Sequence, residues 1–222
     1  MLFAKMGVPN DQLAFFTTLL YFPWFLKGLW APFVDIIRTK RWWIIAMQVL
    51  MTALCILLTV TLPHPDPELI AAKETSVGLF RWTLVFFIIA AFASATHDIA
   101  ADGYYMLAHD TKSQAAFIGI RSTFYRIASV FSQGVLVYIA GYIENKTGDI
   151  PMSWQLTLGA TSVILFCVTL YHIFFLPKAQ ADDQRSVKSA SEALNELKES
   201  FGTFFTKPGV GLAIGFMLLY RL

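Results

Sequence analysis

Charge is scarce in this sequence. Lys, Arg, Asp and Glu make up 14% of its 222 residues, whereas 56% are hydrophobic. A soluble domain of this length needs far more charge to solvate its surface, so a water-soluble fold is excluded. Cysteine is nearly absent. Cys55 and Cys167 sit inside apolar runs without metal-ligand spacing, and two residues do not make a disulfide framework. The net charge of +2 is too small for a nucleic-acid surface, and no basic run is interleaved with stacking aromatics. A secretory leader is missing too: Lys5 and Asp11 bracket a weak apolar start that lacks the ordered charged, apolar and cleavage regions.

Long apolar runs are what the chain does have. A helix needs roughly 20 mostly apolar residues to cross a hydrocarbon core of about 30 Å. Five stretches qualify: Leu13 to Val34, Trp42 to Leu62, Phe80 to Leu107, Phe117 to Ile143 and Trp154 to Leu176. A sixth begins at Pro208 and reaches Leu222, too short to cross by itself. The fold class is therefore an all-α membrane protein with five complete transmembrane helices and the start of another.

The connections set the orientation. Arg38, Lys40, Arg41, Lys112 and Lys178 collect on one side, which the excess of Lys and Arg marks as cytoplasmic. The loops of the other side carry Asp66, Glu68, Glu74 and Asp149. That alternation starts the first span outside, so a helix is expected upstream. Between Pro177 and Lys207 lies a charged loop in which Val187, Ala190, Leu194, Leu197, Phe201, Phe204 and Phe205 recur at steps of three and four. With Ser189 and Glu192 as a capping box, this reads as an interfacial amphipathic helix.

Ionisable groups at membrane depth are costly and mark functional positions or interior pairs. Here His97, Asp98 and Asp102 lie in the third span, with the two acids four apart on one helix face. With the turn centred near Thr111 and Lys112, Asp98 is expected level with Arg126 and Asp102 with Arg121. Lys27 could join at similar depth. Two readings stay open. These groups hold the bundle in register as ion pairs, or Asp98 or His97 carries a coupling proton while the arginines bind an anionic solute. Tyr104, Tyr105 and Tyr125 are candidate sugar-stacking residues or interfacial anchors. Gly134 and Gly141, with Ala128 and Ser132, offer a small face for close packing, and His172 is given no special role. A membrane-embedded enzyme or sensor is the alternative class, but no nucleophile or third metal ligand accompanies His97.

Two motifs carry a resemblance. Trp30-Ala31-Pro32-Phe33-Val34-Asp35, followed by Arg38, Lys40 and Arg41, resembles the conformational-gating loop after the second helix of major facilitator transporters, without its usual glycines. The run His97-Asp98-Ile99-Ala100-Ala101-Asp102-Gly103-Tyr104 resembles the fourth-helix signature of the AmpG-like branch, the muropeptide permeases and acetyl-CoA transporter relatives, with His97 where Gln is usual. Leu218-Leu219-Tyr220-Arg221-Leu222 resembles the start of that branch's seventh helix. The resemblance implies helices two to early seven of a twelve-helix fold: residues 1–176 as the first half without its first helix, 177–207 as the joint between halves, and 208–222 as the cut start of the second half. It further implies a proton-driven importer of cell-wall sugar-peptide fragments in the bacterial inner membrane. Its partners are then the lipid bilayer, a small-molecule solute, protons and the remainder of its own fold. No cofactor, metal or nucleic acid is implied. The 222 residues alone are expected not to transport.

Overall fold

Polar side chains cap the starts of three of the helices, at Thr39, Asp110 and Asp149. The computed structural model describes residues 2–6, 8–64, 68, 77–179, 195, 198–199, 202–203 and 206–220. In chain order its principal helices are α1 (Leu2–Lys5), α2 (Asn10–Ile37), α3 (Lys40–Thr61), α4 (Val77–Ala108), α5 (Thr111–Val130), α6 (Leu136–Thr147), α7 (Ile150–Phe175) and α8 (Val210–Tyr220). A π-helical turn, Phe131–Val135, joins α5 to α6. No strand occurs among the described residues. Five stretches are long and apolar enough to cross a membrane: Asn10–Asp35, Lys40–Thr61, Trp82–Ala108, Gly119–Thr147 and Ile150–Phe175. These match the five expected spans to within a few residues. The amphipathic helix expected from Val187 to Phe205 lies largely outside the described residues, as do Arg221 and Leu222.

Thr39 caps α3 by accepting from the Trp42 amide at 3.2 Å. Asp149 caps α7 by accepting from the Met152 amide at 2.9 Å, and Pro151 fits the first turn because its missing N–H would go unused there. Gly148 ends α6 in the left-handed region, φ 72°, and its amide bonds the Glu144 carbonyl at 2.7 Å. Asp110 caps α5, accepting from the Ser113 amide at 3.1 Å. Those hydrogen bonds from Ser113 hold the Asp110 carboxyl below the ordinary carboxylate range.

The helices lie in a connected row. α2 packs on α4, α4 on α3, α3 on α7, and α7 on α6. Large side chains such as Phe25, Val60, Trp82 and Phe174 point outward, exposed, as a lipid-facing surface requires and a water-facing one forbids. Two end clusters hold the row. At one end Leu2, Met6 and Leu62 bury together beside Ile150 and Trp154, and Lys5 pairs with Glu144 at 2.5 Å. At the other, basic end, Val34, Ile44 and Ala100 bury together beside Trp43, Tyr104 and Leu176.

Between α3 and α7 runs a seam of small polar contacts. Thr52 and Thr169 hydroxyls lie 3.1 Å apart, and those of Thr59 and Ser162 lie 3.5 Å apart. The Gln48 amide meets His172 at 2.8 Å. In lipid, helices gain little from the hydrophobic effect, so such pairs and close packing hold them together. The small face expected on the fourth span does not pack this way. A Cβ added at Gly134 or Gly141 would meet nothing within 4 Å, because Gly134 falls inside the π-helical turn and that stretch stands apart from the bundle.

Candidate functional site

The charges at membrane depth converge on one face of α4. Lys27 of α2 donates to Asp98 Oδ2 at 2.8 Å. Arg121 of α5 reaches Asp98 Oδ1 at 3.4 Å and also pairs with Asp102. Asp98 thus sits between two cations from two different helices, and Arg121 bridges two carboxylates one helical turn apart. The side chains of Lys27 and Asp98 remain 36% and 34% exposed and that of Arg121 52%, so the cluster opens to one side. At 1.5 Å per residue, Asp98 lies roughly 15 Å inside the basic end of the span. Trp30 Nε1 donates to Thr96 at 3.2 Å and fixes α2 against α4 one turn away.

This pairing departs from the depth count in one respect. Asp98 meets Arg121 rather than Arg126, which is exposed and carries no hydrogen bond or ion pair among the described residues. Asp102 and Arg121 pair as the count expects, and the long Arg121 side chain also reaches Asp98 one turn away on α4.

The other candidates occupy distinct places. Tyr104 donates to the Pro177 carbonyl at 2.9 Å, and Tyr105 donates to the Gln114 carbonyl, so both hydroxyls serve the basic end. Tyr125 is 74% exposed on α5 and bears no such tie. His97 faces the other way from Asp98, toward α3 and α7, and its Nε2 is buried without a hydrogen-bond partner among the described residues. His172, given no special role by the sequence, meets the side-chain amide of Gln48 of α3 at 2.8 Å.

The gating-loop residues form a second constellation. Asp35 pairs with Lys40, whose side chain is only 3% exposed. Lys40 lies against α4 at Gly103, where a Cβ would come within 2.7 Å of Lys40 Cε, so a larger residue there must displace the end of the lysine. Arg41 donates Nε to the Leu176 carbonyl at 2.8 Å and a terminal nitrogen to the Ile173 carbonyl at 2.9 Å, so its fork caps the last turn of α7. Arg38 stacks over Trp42 at 5.8 Å.

Five helices long and apolar enough to cross a membrane, with ion pairs between them and a basic turn at one end, define a multi-pass membrane protein. The chain belongs to the acetyl-coenzyme A transporter 1 family, whose model matches residues 6–207. A protein of Rickettsia conorii named "Putative transporter AmpG 4" is 26% identical over 192 residues, covering 82% of this chain and 41% of that protein. An uncharacterized protein of Haemophilus influenzae is 25% identical over 206 residues, covering 90% of this chain and 42% of that protein. The chain spans about two fifths of the length of these curated relatives. No solved structure matches it.

Proposed function

We propose that this chain forms one wall of a proton-coupled solute importer of the major facilitator kind. Residues 1–176 supply helices two to six of the first half. Residues 177–207 make the joint between halves, and residues 208–222 begin the second. The basic end faces the cytoplasm, and the membrane is the bacterial inner membrane. Asp98 carries the coupling proton. Arg121 and Arg126 attract an anionic solute, with Tyr125 as an exposed ring against which a sugar can stack. The solute class is a cell-wall sugar-peptide fragment.

The supporting observation is the position of Asp98 between Lys27 and Arg121. Protonating that carboxyl removes the charge that both cations engage, and so frees α2 and α5 from α4 in one step. Alternating access needs such an element, tight in one protonation state and loose in the other. The resemblance of the His97–Tyr104 run to the AmpG-like signature supports the solute class, and the similarity to the Rickettsia conorii putative transporter supports transport.

The test is uptake of a labelled sugar-peptide into vesicles that hold the full-length protein under an imposed pH gradient. Asp98→Asn should lower gradient-driven uptake by about tenfold or more, one pH-coupled step being worth at least ~1.4 kcal/mol. Equal uptake by the two proteins, at equal amounts in the membrane, would remove Asp98 from the coupling role.

A further inference from the structure

The open face of α4 carries as many acids as bases. Lys27 and Arg121 contribute two positive charges, and Asp98 and Asp102 two negative ones. As it stands, the cluster has no unmatched charge with which to hold an anion. Arg126 does not alter that count. It lies five residues along α5 from Arg121, about 140° around the helix, and carries no ion pair among the described residues.

Asp98 is held in a particular way. Lys27 Nζ lies 2.8 Å from Oδ2 and Arg121 Nη2 lies 3.4 Å from Oδ1, so each oxygen of one carboxylate faces a cation from a different helix. All three side chains are a third to a half exposed. Arg121 makes its contacts with both Asp98 and Asp102 through Nη2. Its Nη1 and Nε bear no hydrogen bond or ion pair among the described residues. A guanidinium has five N–H donors, so several remain for a further acceptor. At membrane depth an open cationic group is retained where it faces water or an anion.

We propose that Lys27 and Arg121 form a clamp for one carboxylate of the transported solute, and that Asp98 occupies the clamp when no solute is bound. The inference deepens the function given above and rests on the coupling role assigned there to Asp98. When Asp98 takes up a proton, it loses the charge that attracts both cations, and the cluster is left with one positive charge in excess. A solute carboxylate then enters with one oxygen toward Lys27 and the other toward the Nη1–Nη2 end of Arg121. The net charge returns to zero. Loss of the proton from Asp98 restores the competing carboxylate and expels the solute. One proton and one carboxylate therefore enter and leave together. A phosphate monoester suits the clamp less well, because it carries about −1.5 to −2 charge near neutral pH, more than one proton makes room for.

Direct binding to the full-length protein in nanodiscs tests this without any uptake measurement. The probes are muramyl dipeptide, which bears a single carboxyl group, the same molecule with that carboxyl amidated, and glucose 6-phosphate. Muramyl dipeptide should bind about tenfold tighter than its amide, a comparison that needs no variant. Lys27→Gln and Arg121→Gln should each remove most of that preference.

Asp98→Asn keeps the shape of the side chain and deletes the competitor. At about pH 8 it should bind muramyl dipeptide about threefold tighter or more than the unmodified protein. Its binding should stay flat between about pH 5 and 8, where the unmodified protein binds more weakly as pH rises. Asp102 and His97 are present in both proteins, so the difference belongs to Asp98. Equal binding of acid and amide, or of acid and glucose 6-phosphate, overturns the carboxylate clamp. So does an Asp98→Asn protein that binds no tighter than the unmodified one, even if its gradient-driven uptake is lost. Tighter, pH-independent binding by Asp98→Asn alongside unimpaired uptake would keep the clamp and overturn only the coupling role.

Discussion

The two sides of α4 solve the same problem in opposite ways. Toward α3 and α7, polar side chains are buried or half-buried and pair hydroxyl to hydroxyl or amide to imidazole. Toward α2 and α5, acids meet bases, and their side chains are a third to a half exposed. The closed side gains rigidity from contacts that stay satisfied in one arrangement. The open side holds ion pairs to Asp98 that, in the proposed coupling role, weaken when that carboxyl is protonated. The proposed alternating access would draw on both, since a moving face requires a fixed one to move against.

That contrast can be broken most severely by charge reversal. Asp98→Lys would set three cations together on the open face. It is expected to cost about 2–3 kcal/mol of stability in bicelle unfolding measurements, less than for a fully buried pair because water reaches a third of these side chains. Adding Lys27→Asp should restore most of the loss, and absence of any rescue would show that the pair does not join α2 to α4. Next comes the notch at the basic end. Gly103→Val drives methyl groups into Lys40 and should cost about 2 kcal/mol by the same measurement, with the Asp35–Lys40 pair lost. A stability change within about 0.3 kcal/mol would mean that Lys40 swings out freely.

Smaller effects sharpen the contrast. Thr169→Val keeps the shape of the seam and deletes one hydroxyl pair, so a loss of about 0.6 kcal/mol is expected. A loss several times larger would show that the closed side depends on a cooperative network rather than on separate pairs. Smallest of all is the acid response of the α5 cap. Folding lowers the Asp110 carboxyl below its ordinary range, so the cap is intact above the usual carboxylate pKa and is lost as pH falls through the lowered value. Hydrogen exchange at the Ser113 amide should quicken over that acid window, while Asp110→Asn, which keeps an acceptor, should flatten the response.

Much of the architecture was legible because lipid imposes a simple rule on sequence. Apolar runs of 20 residues located all five spans, and the caps at Thr39 and Asp149 lie at or just before the starts of α3 and α7. The membrane class and the transporter family follow from the same residues that carried the resemblance. Pairing was less legible. Asp98, Lys27 and Arg121 could be named and Asp102 and Arg121 pair as the count expects, but that one arginine reaches both acids could not be read from depth alone. The π-helical turn left no signal in the composition, and it undid the close packing expected at Gly134. The pairing of Gln48 with His172 could not be read because the two lie 124 residues apart and are joined by the α3–α7 seam. Arg41 reads as one more basic residue of a loop until its fork is seen on the α7 carbonyls.

That fork has a mechanical consequence. By gripping the last turn of α7, Arg41 turns the start of the segment after Pro177 into a hinge pin seated on the α2–α3 corner. Tyr104 fastens the same point to α4 through the Pro177 carbonyl. A pull arriving along that segment is not absorbed by a fraying helix end. If the proposed joint between halves begins there, these ties connect it to the corner where Asp35 and Lys40 sit and to the helix that carries both carboxylates.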